Sequence, residues 1–189
     1  MNIRFWRSAL LAPVLALSAV SAQAVEYTTI DPQASKIRFG YSQMGVGMEG
    51  SFAHLNVPSF SFDPANPDAA KIVIEVPMAG IDAGYDEAND ELKKGDWLDS
   101  ASHPLARFES TQTKALGDNR YEVTGTLAIK GKQQTITLPV TLAEEAGQGV
   151  LTGGFDFNRA DFTIGEGQWR NFDIVANGIT INFHVVARP

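Results

Sequence analysis

His54, His103 and His184 are the only histidines in this chain of 189 residues, and there is no cysteine at all. The three are scattered over different expected strands and loops, and no HExxH or His-x-His pairing of the kind that holds zinc is present. Without cysteine there is no thiolate nucleophile, no iron–sulfur cluster and no covalently attached haem. No G-x-S-x-G elbow occurs, and no serine stands at a spacing that names a catalytic triad. Gly45, Gly47 and Gly50 resemble a phosphate loop only in number, since no Gly-Lys-Ser/Thr follows, and they read better as a twisted or bulged strand. Among Asp82, Asp86, Glu87, Asp90 and Glu91, a calcium loop begun at Asp86 fails at Ala88 and Glu91, which leaves a solvated helix face. The expectation is a protein that is not an enzyme, with no catalytic residue, no metal and no required cofactor.

The chemistry that remains is apolar. The chain has 11 Phe, 3 Trp and 4 Tyr set among 17 Gly. Ile37, Phe39 and Tyr41 alternate with Lys36, Arg38 and Gly40, the period-two pattern of a strand with one greasy face. The pattern recurs at Phe60 and Phe62, at Ile72, Ile74 and Val76, at Phe155 and Phe157, and from Ile179 to Val185. Tyr121 to Ile129 and Ile136 to Leu142 flank a Lys130-Gly131 turn and read as a hairpin. Tyr85 to Lys94 departs from the pattern as one short helix in a connecting loop, with Asp82 as a candidate cap and Asp90–Lys94 as an i,i+4 pair. About eight short strands between Gly, Asn, Asp and Pro turns make an all-β sandwich or barrel, and closure into an antiparallel barrel removes the exposed edges.

Arg4 and Arg7, the apolar run Ala9 to Val20 and the small residues of Ser21-Ala22-Gln23-Ala24 form a Sec-type signal peptide over residues 1–24, with cleavage after Ala24. The expectation is one domain over residues 25–189, located in the periplasm, with no membrane span because no later run approaches about 20 apolar residues. The formal net charge is −7, and cleavage would make it more negative by removing two arginines. With no basic run, that balance argues against nucleic acid and against an anionic membrane face.

Five segments carry a resemblance: Phe39 to Phe52 (FGYSQMGVGMEGSF), Ile81 to Asp99 (IDAGYDEANDELKKGDWLD), His103 to Thr111 (HPLARFEST), Val123 to Gly131 (VTGTLAIKG) and Arg159 to Trp169 (RADFTIGEGQW). In this order they resemble the YceI-like family of exported lipid-binding proteins. The resemblance implies a lipocalin-like barrel whose lumen takes an isoprenoid lipid, a quinone or a polyprenyl phosphate. Gln43 stands where the family pattern has His, and Thr163 where Gly is common. The resemblance leaves a homodimer open, and an association of some family proteins with membrane cytochromes makes a membrane redox partner a further expectation.

Alternation places Ile37, Phe39, Tyr41, Phe52 and Phe108 toward the lumen, together with Phe155, Phe157, Ile181 and Phe183. Met48 is an adaptable filler near one end. The alternative is ordinary core packing with no ligand contact. Trp97 and Trp169 could shape the mouth or anchor loops. Arg107 and Arg159 could meet a phosphate or a quinone carbonyl, although Arg159 could instead pair with Asp161 or Glu166. Gln43 could donate to a head group or serve as a satisfied turn amide. Two functions follow: a carrier that binds without turnover, or a stress-related interaction protein whose barrel is filled by side chains and which acts through its loops.

Overall fold

The computed structural model describes residues 25–189, so the leader expected over residues 1–24 lies outside the described residues. In chain order the strands are β1 (Thr29–Gln43), β2 (Val46–Phe52), β3 (Asn56–Ser61), β4 (Lys71–Pro77), β5 (Ile81–Asp82), β6 (Leu105–Gly117), β7 (Arg120–Ile129), β8 (Lys132–Glu145), β9 (Gln148–Asn158) and β10 (Gly178–Arg188). One helix, α1 (Asp86–Leu92), lies between β5 and β6. All ten strands join one antiparallel sheet in the order β3-β4-β6-β7-β8-β9-β10-β1-β2-β5. Tight turns set this meander. Met44-Gly45, Asp118-Asn119, Lys130-Gly131 and Ala146-Gly147 each have positive φ at both positions, the two-residue hairpin geometry that matches strand twist. Gly45 therefore belongs to a hairpin turn and not to the bulged strand expected of it.

The sheet curls until its ends meet at one level. Tyr27, just before β1, and Phe62, just after β3, exchange two backbone hydrogen bonds of 2.9 Å. At that level eight strands form a ring, from β3 through β4, β6, β7, β8, β9 and β10 to β1. Higher up, the same edge of β1 pairs with β2, and β2 with β5, so these two strands cover the seam. β1 slips register against β10 between Asp31 and Lys36. There the Ser35 hydroxyl donates to the Asp31 carbonyl (2.7 Å) and accepts from the Val186 amide (3.0 Å), mending the interrupted ladder.

α1 occupies the middle of the segment expected to be helical, with two differences. Tyr85, not Asp82, holds the cap position and makes no side-chain cap bond. Asp82 Oδ1 accepts from the Gly84 amide (2.9 Å) and from Asn89 Nδ2 (3.2 Å), turning the chain before the helix begins. Because the helix ends at Leu92, Lys94 comes back to Glu91 and Lys93 to Asp90, so the expected Asp90–Lys94 pair does not form.

The inward side chains fall into two clusters. At the floor, beside the Tyr27–Phe62 bridge, Tyr27, Phe62, Tyr121, Leu142, Leu151 and Ala187 are buried against one another. The Phe62 and Tyr121 rings meet edge to face at 4.9 Å, a preferred aromatic geometry. At the other end Phe39, Met78, Trp97, Leu98, Phe162 and Ile164 belong to a second cluster under α1 and the segment after β9.

Candidate functional site

Three inward glycines sit under aromatic rings. A Cβ on Gly50 would lie 2.2 Å from Phe39 Cζ, one on Gly153 would lie 2.5 Å from Phe183 Cζ, and one on Gly125 would lie 2.5 Å from Phe108 Cζ. Phe39 faces Gly50, and Phe183 faces Gly153, in direct cross-strand register. Each ring thus lies down on its neighbouring strand instead of crossing the interior. The space left between the two clusters is a cavity of about 510 Å³ with almost wholly apolar walls. Protein interiors rarely keep voids larger than a water molecule, whereas ligand pockets span about 300–1,000 Å³. The walls show the same thing: Ile37, Ile72, Ile74, Phe155 and Phe183 point inward yet remain only partly buried.

Ile37, Phe39, Tyr41 and Phe52 line the cavity from β1 and β2, and Phe108 lines it from β6. Phe155 and Phe157 of β9 and Ile181 and Phe183 of β10 line it too, as do Trp97 and Trp169. Met48 does not. It is the register partner of Tyr41, but it lies on β2 beyond the two residues that β5 covers, where the edge strand has left the wall. Alternation fixes a face, not a depth. Sequence reasoning passed over Ile72, Ile74 and Val76 of β4 and Leu127 and Ile129 of β7, which also form wall. Their alternation is plain in the sequence, but aliphatic residues on such a face are common to any packed core. Ala88 and Leu92 of α1 close part of the top and carried no such signal.

The charged residues that border the cavity are Glu87, Glu91, Arg107 and Arg159. Arg159 is 1% exposed, and every donor of its guanidinium is engaged. Its Nε–H donates to the Ala176 carbonyl (3.1 Å), Nη1 to Ile164 (2.8 Å) and Gly165 (3.2 Å), and Nη2 to Trp169 (2.8 Å) and Val175 (2.9 Å). Desolvation lowers its pKa from the usual arginine value. Neither expected partner is used: Asp161 makes no ion pair with it, and Glu166 pairs with Lys130 at 2.9 Å. Arg159 is therefore the hub of the segment from 164 to 176, with no donor left for a head group. Arg107 turns its guanidinium to Glu75 (2.7 Å) and Glu109 (3.0 Å) on neighbouring positions of the outer face. That pairing removes it from the mouth.

The mouth itself is framed by α1, Gln43 and the two tryptophans. Trp97 and Trp169 lie 5.4 Å apart between ring centroids, and the Arg159 guanidinium sits 5.3 Å from the Trp97 ring. Trp169 Nε1–H donates to Glu91 (3.0 Å), tying the segment after β9 to α1. The Tyr85 hydroxyl donates to Gln43 Oε1 (3.2 Å), so the oxygen of that amide is engaged. Tyr41 points its hydroxyl at the Ala83 carbonyl (3.4 Å), and desolvation with the neighbouring Tyr85 raises its pKa. Among the described residues no group of three or more His, Asp or Glu side chains converges in a way that could hold a metal.

A family model described as the YceI-like domain matches residues 28–187. A UPF0312 protein of Azotobacter vinelandii is 34% identical over 130 residues, spanning 67% of this chain and 65% of that relative's length, just under two thirds. A UPF0312 protein of Pseudomonas syringae pv. tomato is 32% identical over 176 residues, 86% of this chain and 91% of its own. Among solved structures, BcnA of Burkholderia cenocepacia superposes with a TM-score of 0.81 at 35% identity, covering 84% of this chain and 99% of that one. A polyisoprenoid binding domain from Saccharophagus degradans has a TM-score of 0.66 at 18% identity over 86% of this chain and 97% of that one, a likeness of fold alone.

Proposed function

The chain belongs to the YceI-like domain family, and from that membership we propose that it is a periplasmic carrier of a long-chain isoprenoid lipid, held in the cavity without turnover. The observation that carries this reading is the set of inward apolar side chains that stay half-buried around about 510 Å³ of space. A prenyl tail would complete their burial at about 25 cal/mol per Å² of apolar area. A few isoprene units offset the cost of association. The Saccharophagus degradans neighbour is described as polyisoprenoid binding, in keeping with this ligand class. The leader with Arg4, Arg7 and Ala24 supports export.

Of the two head groups implied by the resemblance, an uncharged quinone type suits this mouth better than a phosphate. Both bordering arginines are engaged elsewhere, and of the bordering carboxylates Glu91 is taken up by Lys94 and Trp169 while Glu87 has no ion pair among the described residues. A phosphate there would lose water and meet like charge. Gln43 retains an amide N–H₂ for an uncharged acceptor. The rival reading, a barrel filled by side chains, does not suit a cavity of this size.

Organic extraction of the purified protein followed by mass spectrometry tests the proposal. A co-purified long-chain isoprenoid is expected, or uptake of an added prenylated quinone if the protein arrives empty. A folded Phe183→Asp variant should retain none, because an unpaired carboxylate would then stand in the tail's path. The absence of both, with no lipid co-purified and no quinone taken up by the wild-type protein, would overturn the carrier reading.

A further inference from the structure

Among the described residues, five of the eight large apolar side chains that are exposed gather at one place. Met44 is 76% exposed, Val46 60%, Ile174 45%, Phe172 43% and Tyr85 40%. They come from three separate segments: the β1–β2 hairpin tip, the stretch between Trp169 and β10, and the entry to α1. Direct bonds hold these segments together. The Met44 amide donates to the Ile174 carbonyl (2.7 Å), and the Ala176 amide donates to the Ser42 carbonyl (2.9 Å). Gln43 forms an isolated bridge with Val175, and Tyr85 donates to the Gln43 side chain. From inside, Arg159 grips the Val175 and Ala176 carbonyls and lies 5.0 Å from the Phe172 ring. Gln43 and Tyr85 also border the cavity. The exposed residues thus form a braced collar at its mouth.

Single apolar side chains on a surface are ordinary, but a cluster around an opening marks a contact. We infer that this collar seats the mouth on an uncharged or zwitterionic lipid surface, so that the tail passes between bilayer and cavity without crossing water. The inference rests on the carrier reading, because it is the bilayer origin of the guest that selects a membrane as the occupant. Charge selects the kind of membrane. Within the collar's own segments Asp86, Glu87 and Asp173 outnumber one exposed arginine, Arg170, and the lysines that follow α1 are drawn to Asp90 and Glu91. Such an edge repels an anionic surface. Apolar contact with no basic face gives weak, reversible binding, which suits a protein that must leave with its load.

The test measures transfer of a prenylated quinone from phosphatidylcholine vesicles to the full chain, comparing wild type with the double variant Met44→Ser and Ile174→Ser. Neither residue lines the cavity. Transfer from vesicles should slow by about ten-fold or more, while affinity for the same quinone added from ethanol stays within about two-fold. Replacing a third of the lipid with phosphatidylglycerol should slow the wild type at low salt. Equal vesicle transfer by wild type and variant would overturn the inference. So would a wild-type dimer that the substitutions dissociate, which would assign the collar to a second copy. Uptake from vesicles that occurs only when a second, membrane-bound protein is supplied would overturn it as well. If the wild type takes up quinone by neither route, the carrier reading itself fails, an outcome distinct from the others.

Discussion

The two ends of the barrel use apolar residues in opposite ways. At the floor Tyr27, Phe62, Tyr121, Leu142 and Ala187 satisfy one another, and each is at most 5% exposed. At the mouth Tyr41, Phe52, Phe157 and Ile181 are only partly buried, and one arginine holds five backbone carbonyls of the covering segment. A hollow interior forgoes packing contacts, so a protein that keeps one must secure its fold elsewhere. The contrast shows a division of labour: the floor holds the fold, and the mouth remains available to a guest.

A matched pair of truncations gives the largest test of that division. Phe62→Ala at the floor should cost about 3–5 kcal/mol in denaturant unfolding. Phe183→Ala in the wall should cost less than half as much, since its ring already faces space. Equal losses would erase the contrast. Next, Arg159→Met should cost about 3 kcal/mol, because it leaves buried carbonyls unpartnered. Amide exchange should then quicken over residues 164–176 while the floor strands stay protected. Exchange that quickens evenly over the whole barrel would show that the hub supports more than the mouth.

A smaller effect is expected at Thr113, whose Oγ1 is buried at the floor without a hydrogen-bond partner. Removing that unsatisfied hydroxyl in Thr113→Val should leave stability unchanged or raise it by about 1 kcal/mol, read as an unchanged or higher midpoint of thermal unfolding. A clear loss would mean that the hydroxyl has a role the floor conceals. The smallest effect is in pH. The hydrogen bond from Lys94, then that from Trp169, holds the Glu91 carboxyl below its usual value. Its contribution is therefore present above the unfolded pKa of about 4.3 and is lost as pH falls through the lowered folded value. Tryptophan fluorescence should change in that acid range before the far-ultraviolet signal of the barrel does. Simultaneous changes would place the link in the fold instead of the mouth.

Much of the wall was legible in the sequence because a strand has only two faces. Ile37, Phe39 and Tyr41 could be assigned from their spacing alone, and the Lys130-Gly131 turn from its chemistry. Met48 was misjudged because period two says nothing of where an edge strand departs from the tube. Arg159 was misjudged for a different reason. Spacing suggested the nearby carboxylates of Asp161 and Glu166, but backbone carbonyls are present at every residue and leave no trace in composition. Thr163, where the family pattern has Gly, does adopt a left-handed φ of 54°, so there the family pattern reported a backbone requirement. The collar was invisible because its residues lie far apart in the chain and join only through bonds between loops.

The pairing of β1 with β10 has a consequence for timing. Thr29 lies opposite Arg188, and Phe39 opposite Ile181, so the edge of β1 that does not pair with β2 waits for the last strand. Contacts of such sequence separation form slowly. A nascent chain halted short of Gly178 would expose the β9 edge that β10 covers, so the native tube cannot close until β10 has been made, whatever stability its early hairpins have gained.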